Sequence, residues 1–416
     1  MTSIESLQAK SFNTVIIGNG PAAIGIFVAA ARAGRLQELL NRGVAVVGNT
    51  PSIGSGKLGE YKIRSNSPGG DFLEPFEASI DRCFEEALAG ENAQELRRNA
   101  NEILPLDVIG RFIDCVGRRV QELLEQHPAC AYLHEGAGAI QTQPNGSIRV
   151  ITDQHVLSAQ SVVLATGGRP RTRDANGTIN ADAYLRNPDE VQSTLEDGAE
   201  VRVIGSSHSA FSVAHTLLQH SDKTGINIRV CVQHRSPIRL FYDLQKEAAP
   251  EWYRYSAEDV CPKTNRLHRF GGLRGDARQL YLRIHTGEET RVYLEGATNT
   301  EDSFAGATID ATGYETNLLP VIDHNGKPLS LVIGEDSQAN VNAHGGLKVS
   351  NQGTAPNIYG IGLGYGIRPN GIGEPRFNGR LDGVNVYWGP VGEAITQSIL
   401  DRRSECTELL SSPQES

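Results

Sequence analysis

The sequence predicts an α/β fold made of two nucleotide-binding units, the second inserted into the first. Three observations carry this. A strand–glycine–helix turn occurs twice, as Val15-Ile16-Ile17-Gly18-Asn19-Gly20-Pro21-Ala22-Ala23 and as Val203-Ile204-Gly205-Ser206-Ser207-His208-Ser209-Ala210. Each turn is answered further along by a strand ending in Ala-Thr-Gly, at Ala165-Thr166-Gly167 and at Ala311-Thr312-Gly313-Tyr314. The segment 167–187, rich in polar residues, separates the first answer from the second turn and reads as a domain junction.

The elements follow in order. Residues 12–17 form a short apolar run, as a buried parallel strand does. The helix after Gly20 carries Ala22, Ala23, Gly25, Ala29 and Ala30, small enough for close packing on a sheet. A second strand spans 44–47. An irregular glycine-rich stretch, 52–70, is long for a plain connection, and 75–100 is weakly helical. Residues 104–126 read as an amphipathic helix with Pro105 in its first turn and a stripe of Val108, Phe112, Cys115, Val116, Val120, Leu123 and Leu124. Asn145-Gly146 joins 139–143 to 147–152 as a hairpin. Residues 156–158 add a third antiparallel strand, and the return strand is 161–166. The second unit has strands 200–204 and 226–233 around a helix over 209–219. Residues 238–274 show no period. Residues 279–285 and 291–295 read as a hairpin through Thr286-Gly287, and 307–311 is the return strand. A strand at 358–361, a Gly/Pro-rich loop at 362–390 and a helix ending near Arg402 complete the chain. The expected partition is 1–168 with 306–416 for the first unit and 169–305 for the inserted one.

Composition limits the function classes. With 416 residues the chain suffices for roughly two or three domains. Net charge is −10 without a long Lys/Arg run, which argues against nucleic acid or an anionic membrane surface as partner. The apolar stretch 15–33 is interrupted by Gly18, Gly20, Pro21 and Arg32, so a membrane span is not expected. Residues 1–13 lack the apolar core of an export signal. Cys83, Cys115, Cys130, Cys231, Cys261 and Cys406 have neither Cys-x-x-Cys nor metal-ligand spacing. Reduced thiols in a cytoplasmic protein, and no metal, are the expectation.

The turns specify the ligand chemistry. A diphosphate needs unpaired N–H groups and a partial positive charge, and a helix N-terminus presents both. Gly18 permits the turn, Gly20 admits the phosphate, and Ala23 keeps the helix close to its strand. An acid commonly ends the second strand and holds a ribose hydroxyl; here the strand runs Val47-Gly48-Asn49, and Asn49 is the candidate in its place. In the second turn Ser207 stands where the second glycine belongs, followed by His208, Ser209 and Ala210. After this unit's second strand comes Arg235, as a 2′-phosphate requires, so NADPH is expected over NADH. The alternative is an Arg235 that simply faces solvent.

Together these stretches resemble the flavoproteins with two dinucleotide-binding domains, FAD-binding first and NADPH-binding inserted. Within them the chain resembles flavin-containing and N-hydroxylating amino-acid monooxygenases. Two Rossmann-like domains are implied, the FAD domain three-layered with an antiparallel β-meander. Ile63-Arg64-Ser65-Asn66-Ser67-Pro68 is similar to the Leu-x-Thr-Asn-x-Pro segment of flavin-containing monooxygenases. That resemblance makes Asn66 the catalytic candidate, beside the reactive C4a edge; the alternative is a turn cap. Asn357-Ile358-Tyr359-Gly360-Ile361-Gly362-Leu363-Gly364 resembles the last FAD segment, without its usual Asp. Gly362, Gly364, Pro390 and Val391 join the cofactor candidates, the last two opening a helix aimed at the flavin. The Phe-x-Gly-x-x-x-His fingerprint of that family is absent.

The implied activity is NADPH-dependent reduction of FAD, followed by transfer of one oxygen atom from O2 to a small-molecule amine or other nucleophile through a C4a-hydroperoxyflavin. The hard chemistry would be the cofactor's, since no catalytic triad or carboxylate pair is evident. The alternative is an FAD-dependent NAD(P)H oxidoreductase or oxidase of thioredoxin-reductase-like fold without a redox disulfide.

Overall fold

A computed structural model describes residues 8–171, 177–262, 264–269, 271–296, 306–334, 337–350, 353–367 and 383–401. Among the described residues the largest sheet has 11 strands. Gln8–Ile17 runs parallel to Val44–Gly48 on one side and to His155–Leu164 on the other. Ala131–His134 extends this parallel set beyond Val44–Gly48, and Gly353–Gly360 extends it beyond His155–Leu164. Val15, Ile16, Val44 and Val46 are fully buried, as strands covered on both faces require. The crossover is the helix Pro21–Arg32, whose small residues let neighbours approach. A Cβ on Gly25 would overlap the Val386 carbonyl of the short helix Asn385–Trp388.

The hairpin of Ala137–Thr142 and Ile148–Thr152 forms about Gly146, which has φ +79°. The strands expected separately at 156–158 and 161–166 are one strand, His155–Leu164. Its full length is held by Gln8–Ile17, while its other edge pairs first with Ile148–Thr152 and then with Gly353–Gly360. The helix expected from 104 begins at Leu106, because Ile103–Pro105 is drawn into a strand against Arg64–Pro68.

A second, five-stranded sheet is wholly parallel, in the order Thr178–Asn180, Ala307–Asp310, Ala199–Ile204, Ile228–His234, Val292–Gly296. The hairpin expected through Thr286-Gly287 is not formed. Gly275–Thr286 is a helix, and Val292–Gly296 runs parallel to Ile228–His234. Ala277, Leu280, Tyr281 and Ile284 recur at helical spacing and pack on the second core. Gly287, at φ +77°, ends the helix in the left-handed conformation rather than turning a hairpin. Ala307–Asp310 pairs with Ala199–Ile204, so the chain leaves the second sheet only after Asp310, later than the expected boundary at 306. The two crossings between sheets, Gly168–Pro170 and Tyr314–Thr316, pair with each other as an antiparallel ribbon.

Each sheet has its own apolar cluster, one around Phe27, Phe76 and Phe112, the other around Phe211, Tyr184 and Leu267. No described helix is long and apolar enough to cross a membrane.

Candidate dinucleotide sites and the cleft between them

The first turn leaves the sheet between its two parallel neighbours, where Ile17 pairs with Val47 and Leu164. Gly18 donates its N–H to Val47 O at 2.8 Å and sits at φ +112°. A Cβ there would overlap the Ala165 carbonyl. Gly20 caps the Pro21–Arg32 helix in extended conformation, with Pro21 at its first position and no side-chain cap. A Cβ on Gly20 would meet nothing within 4 Å. This first turn has no acidic residue and open space in front of it. Such a cradle fits a diphosphate. Ala22 and Ala23 are buried behind it.

The C-terminal elements close on the same helix. Gly362, at φ +96°, passes so near that a Cβ would stand 2.6 Å from Ala22 Cβ. Gly364, at φ +101°, lies against Thr316. Pro390 opens the helix Pro390–Leu400, again without a side-chain cap, and Val391 is buried in its first turn. Thr166 Oγ1 and the buried Tyr365 hydroxyl are 2.9 Å apart, and Gly167 turns at φ +69°.

The second turn repeats the first in outline. Gly205 donates to Gln233 O at 2.9 Å, and a Cβ on it would stand 2.6 Å from the Ala311 carbonyl. Each turn glycine thus abuts the alanine carbonyl of its own Ala-Thr-Gly strand, which is why the two motifs travel together. Ser207 caps the helix His208–Thr224 in extended conformation, and its hydroxyl makes no capping bond. His208 is pinned: its Nε2 accepts from the Arg274 N–H at 3.2 Å and lies 3.1 Å from Gly272 O. Ser209 follows it, and Ala210 is buried against Gly205. Arg235 is exposed just beyond the end of Ile228–His234. The Thr312 N–H is held by Asp310 Oδ1 at 2.8 Å, and Gly313 turns at φ +103°.

Between the units lies a cleft of about 320 Å³, bordered by Tyr61, Lys62, Arg64, His208, Arg274 and Asp276. Asn66 stands in the strand Arg64–Pro68 rather than in a turn. Ser65 and Ser67 are buried while Arg64 and Asn66 are exposed; Arg64 and Ser65 line the cleft, and Asn66 stands next to them in the strand but is not one of its lining residues. Arg64 lies 3.8 Å from Asp276 across the cleft. The Arg274 guanidinium stacks over Phe241 at 3.8 Å.

One cluster was not signalled by any motif. Tyr61 donates to Asp182 Oδ1 at 2.5 Å, and Tyr314 donates to the same oxygen at 3.0 Å. Arg186 bridges Asp182 at 3.0 Å and Glu60 at 3.1 Å. Burial works to raise the Asp182 carboxyl, but the Tyr61 and Tyr314 hydroxyls, the Lys57 charge and the Arg186 hydrogen bond together hold the group below the usual carboxylate range. Burial pushes both phenols well up. The cluster joins the 56–61 segment of the first unit to the helix Ala181–Arg186 of the second, and to the ribbon between them. The Tyr314 hydroxyl is thereby engaged. The cluster's members come from three distant stretches of chain, so only the final Tyr of Ala-Thr-Gly-Tyr hinted at it.

Comparison with known proteins fits this geometry. The chain is 34% identical to the CMP-5′-(3-aminopropyl)phosphonate hydroxylase of Streptomyces rubellomurinus, over 94% of this chain and 97% of that protein. Among solved structures it resembles L-lysine 6-monooxygenase from Pseudomonas syringae, at 16% identity and TM-score 0.60, covering 93% of this chain and 99% of the other. It also resembles the FAD-bound cadaverine monooxygenase DfoA from Erwinia amylovora, at 14% identity and TM-score 0.56, covering 94% of each chain. Those two likenesses show the fold alone. Residues 12–362 match the pyridine nucleotide-disulphide oxidoreductase family, and the chain belongs to it.

Proposed function

We propose that the chain is an FAD-dependent, NADPH-reduced monooxygenase that hydroxylates the amine of a small anionic metabolite with O2. The observation that carries this is the likeness, along nearly the whole chain, to a hydroxylase whose named substrate joins an aminopropyl group to a phosphonate and a cytidine nucleotide. The proposed substrate class is therefore a short primary amine bearing a phosphonate or phosphate, with or without a nucleotide. On the cleft border Lys62, Arg64 and Arg274 outnumber Asp107 and Asp276, which supports an anionic ligand.

Bound FAD would supply hydride acceptance and oxygen activation at its C4a edge. The residues supply position. Gly18, Gly20, Pro21, Ala22 and Ala23 hold the FAD diphosphate at the helix N-terminus, and Thr166, Gly167, Gly362 and Gly364 bound its other side. Pro390 and Val391 set a second helix N-terminus for the flavin ring's electron-rich edge. Gly205, Ser207, His208, Ser209 and Ala210 form the NADPH turn, with Thr312, Gly313 and Tyr314 beside it, and Arg235 takes the 2′-phosphate. Asn66 steadies the reacting edge from the strand Arg64–Pro68. The cytoplasm is the proposed location.

The test is product analysis with NADPH, isotopically heavy O2 and a panel of CMP-5′-(3-aminopropyl)phosphonate, 3-aminopropylphosphonate, lysine and cadaverine. One heavy oxygen atom in a phosphonate amine is the expected result. NADPH consumption that yields only hydrogen peroxide with every amine would replace this reading by the NAD(P)H oxidase one, to which the family match is equally suited.

A further inference from the structure

We propose that Asn19, through its side-chain Oδ1, reads the ribose of the adenosine half of FAD in place of the acid that usually ends the second strand. The inference rests on FAD binding at the Gly18 turn. In this fold the acid at the second strand's end accepts a hydrogen bond from a ribose hydroxyl. Here that strand is Val44–Gly48, so its last residue is Gly48, not Asn49. Asn49 lies one residue beyond and is exposed. The nearby Glu135 is committed elsewhere. Its carboxylate is held by Thr152 Oγ1 and His155 Nδ1, each at 2.5 Å.

The space an acid would take is filled from the first turn. A Cβ on Gly48 would stand 2.6 Å from Asn19 Cβ and 2.8 Å from Asn19 Oδ1. The glycine at 48 and the asparagine at 19 are thus a matched pair, since a side chain at 48 and one at 19 exclude each other.

Chemistry fixes which way the amide faces. Asn19 Nδ2 donates to the Ser52 carbonyl at 2.7 Å, an atom that only accepts. It also donates to Tyr132 Oη at 3.0 Å. The Tyr132 hydroxyl spends its own proton on the Thr50 carbonyl, so toward Asn19 it can only accept. Thr50 Oγ1 lies against the same nitrogen and donates to Ser52 O at 3.0 Å. Every neighbour therefore demands the nitrogen. Oδ1 is turned the other way, and no described residue donates to it. It is an oxygen acceptor at the strand's end beside Gly20, whose front is open. A ribose hydroxyl needs such an acceptor, and a neutral amide supplies it without a charge.

The test is equilibrium dialysis of the full-length chain against FAD and against FMN, which lacks the adenosine half. Binding is read without turnover, so a failure of the oxygenation reading leaves the result standing. Asn19→Gly is expected to weaken FAD about tenfold, the scale of one ligand hydrogen bond, and to leave FMN unchanged. Gly48→Glu alone should also weaken FAD, for want of room. The double variant Asn19→Gly/Gly48→Glu should recover affinity to within about threefold of the parent, because the acid then occupies the vacated space. Tyr132→Phe, which removes only one anchor of the amide, should weaken FAD about threefold and FMN not at all; it serves if Asn19→Gly does not fold. Three results would overturn the proposal: equal losses for FAD and FMN, a double variant no tighter than the weaker single one, or an Asn49→Ala loss where the Asn19 and Tyr132 variants have none. Failure of the parent to bind FAD would remove its premise.

Discussion

The Gly18 and Gly205 turns share a backbone and differ in what stands in front of it. Both glycines sit at positive φ, and both would press a Cβ into the alanine carbonyl of an Ala-Thr-Gly strand. Both helices start from an extended cap with no side-chain bond. In the first, Gly20 leaves the diphosphate approach empty. In the second, Ser207 holds the equivalent cap position, and His208 is fastened to the 272–274 loop. On the proposed function, the open first cap suits a ligand that stays, and Ser207 stands as a polar gate for one that comes and goes. The repeated geometry belongs to the fold, and the unequal caps tune it.

Substitutions in the two turns should have separable effects. Gly18→Ala should abolish FAD retention, since the added carbon meets backbone rather than a movable side chain. The flavin absorbance of purified protein checks this. Gly205→Ala should keep FAD and raise the KM for NADPH by about a hundredfold, because the Ala311 contact is milder. Retained FAD with an unchanged NADPH KM would dissolve the assignment of the two turns. Arg235→Ala should raise the KM for NADPH about thirtyfold and that for NADH less than about twofold, the signature of a lost 2′-phosphate contact. Ser207→Gly should lower the NADPH KM about threefold by opening the gate, and a rise would instead make the hydroxyl a phosphate donor.

The cluster that joins the two units sharpens the picture from another side. Asp182→Asn should cost about 1–3 kcal/mol at neutral pH by weakening charge-assisted bonds from Tyr61, Tyr314 and Arg186. The sign with pH follows from a carboxyl held low. Its contribution is complete above the unfolded carboxylate range and is lost as pH falls through the lower folded value. Thermal melts should therefore converge between parent and variant as the pH is taken down through that window.

Much of this was legible from neighbouring residues. The turns, the Asn145-Gly146 hairpin and the Pro390 helix start depend on backbone rules that act within a few positions. Where the outcome depended on a distant partner, local pattern misled. The 279–285 run reads as a strand until Ala277 and Ile284 are seen to keep helical spacing against the second core. The return strand looked broken near 159–161 because the sequence does not show Gln8–Ile17 running beside it throughout. Asn49 looked like the ribose reader because it is the polar residue at the strand's end. Asn19, proposed above for that role, reaches the same end from the other side of a turn. The Tyr61–Asp182–Tyr314 cluster joins residues more than a hundred positions apart, which no short motif records.

On the proposed function, electrons enter from NADPH held at the Gly205 turn and leave from a flavin held at the Gly18 turn. Anaerobic mixing of FAD-loaded protein with NADPH tests it most directly, followed by loss of the flavin's visible absorbance. Complete bleaching is expected in the parent, and much slower bleaching in Gly205→Ala at equal FAD content. No bleaching in the parent, or bleaching at the same rate in both proteins, would contradict it.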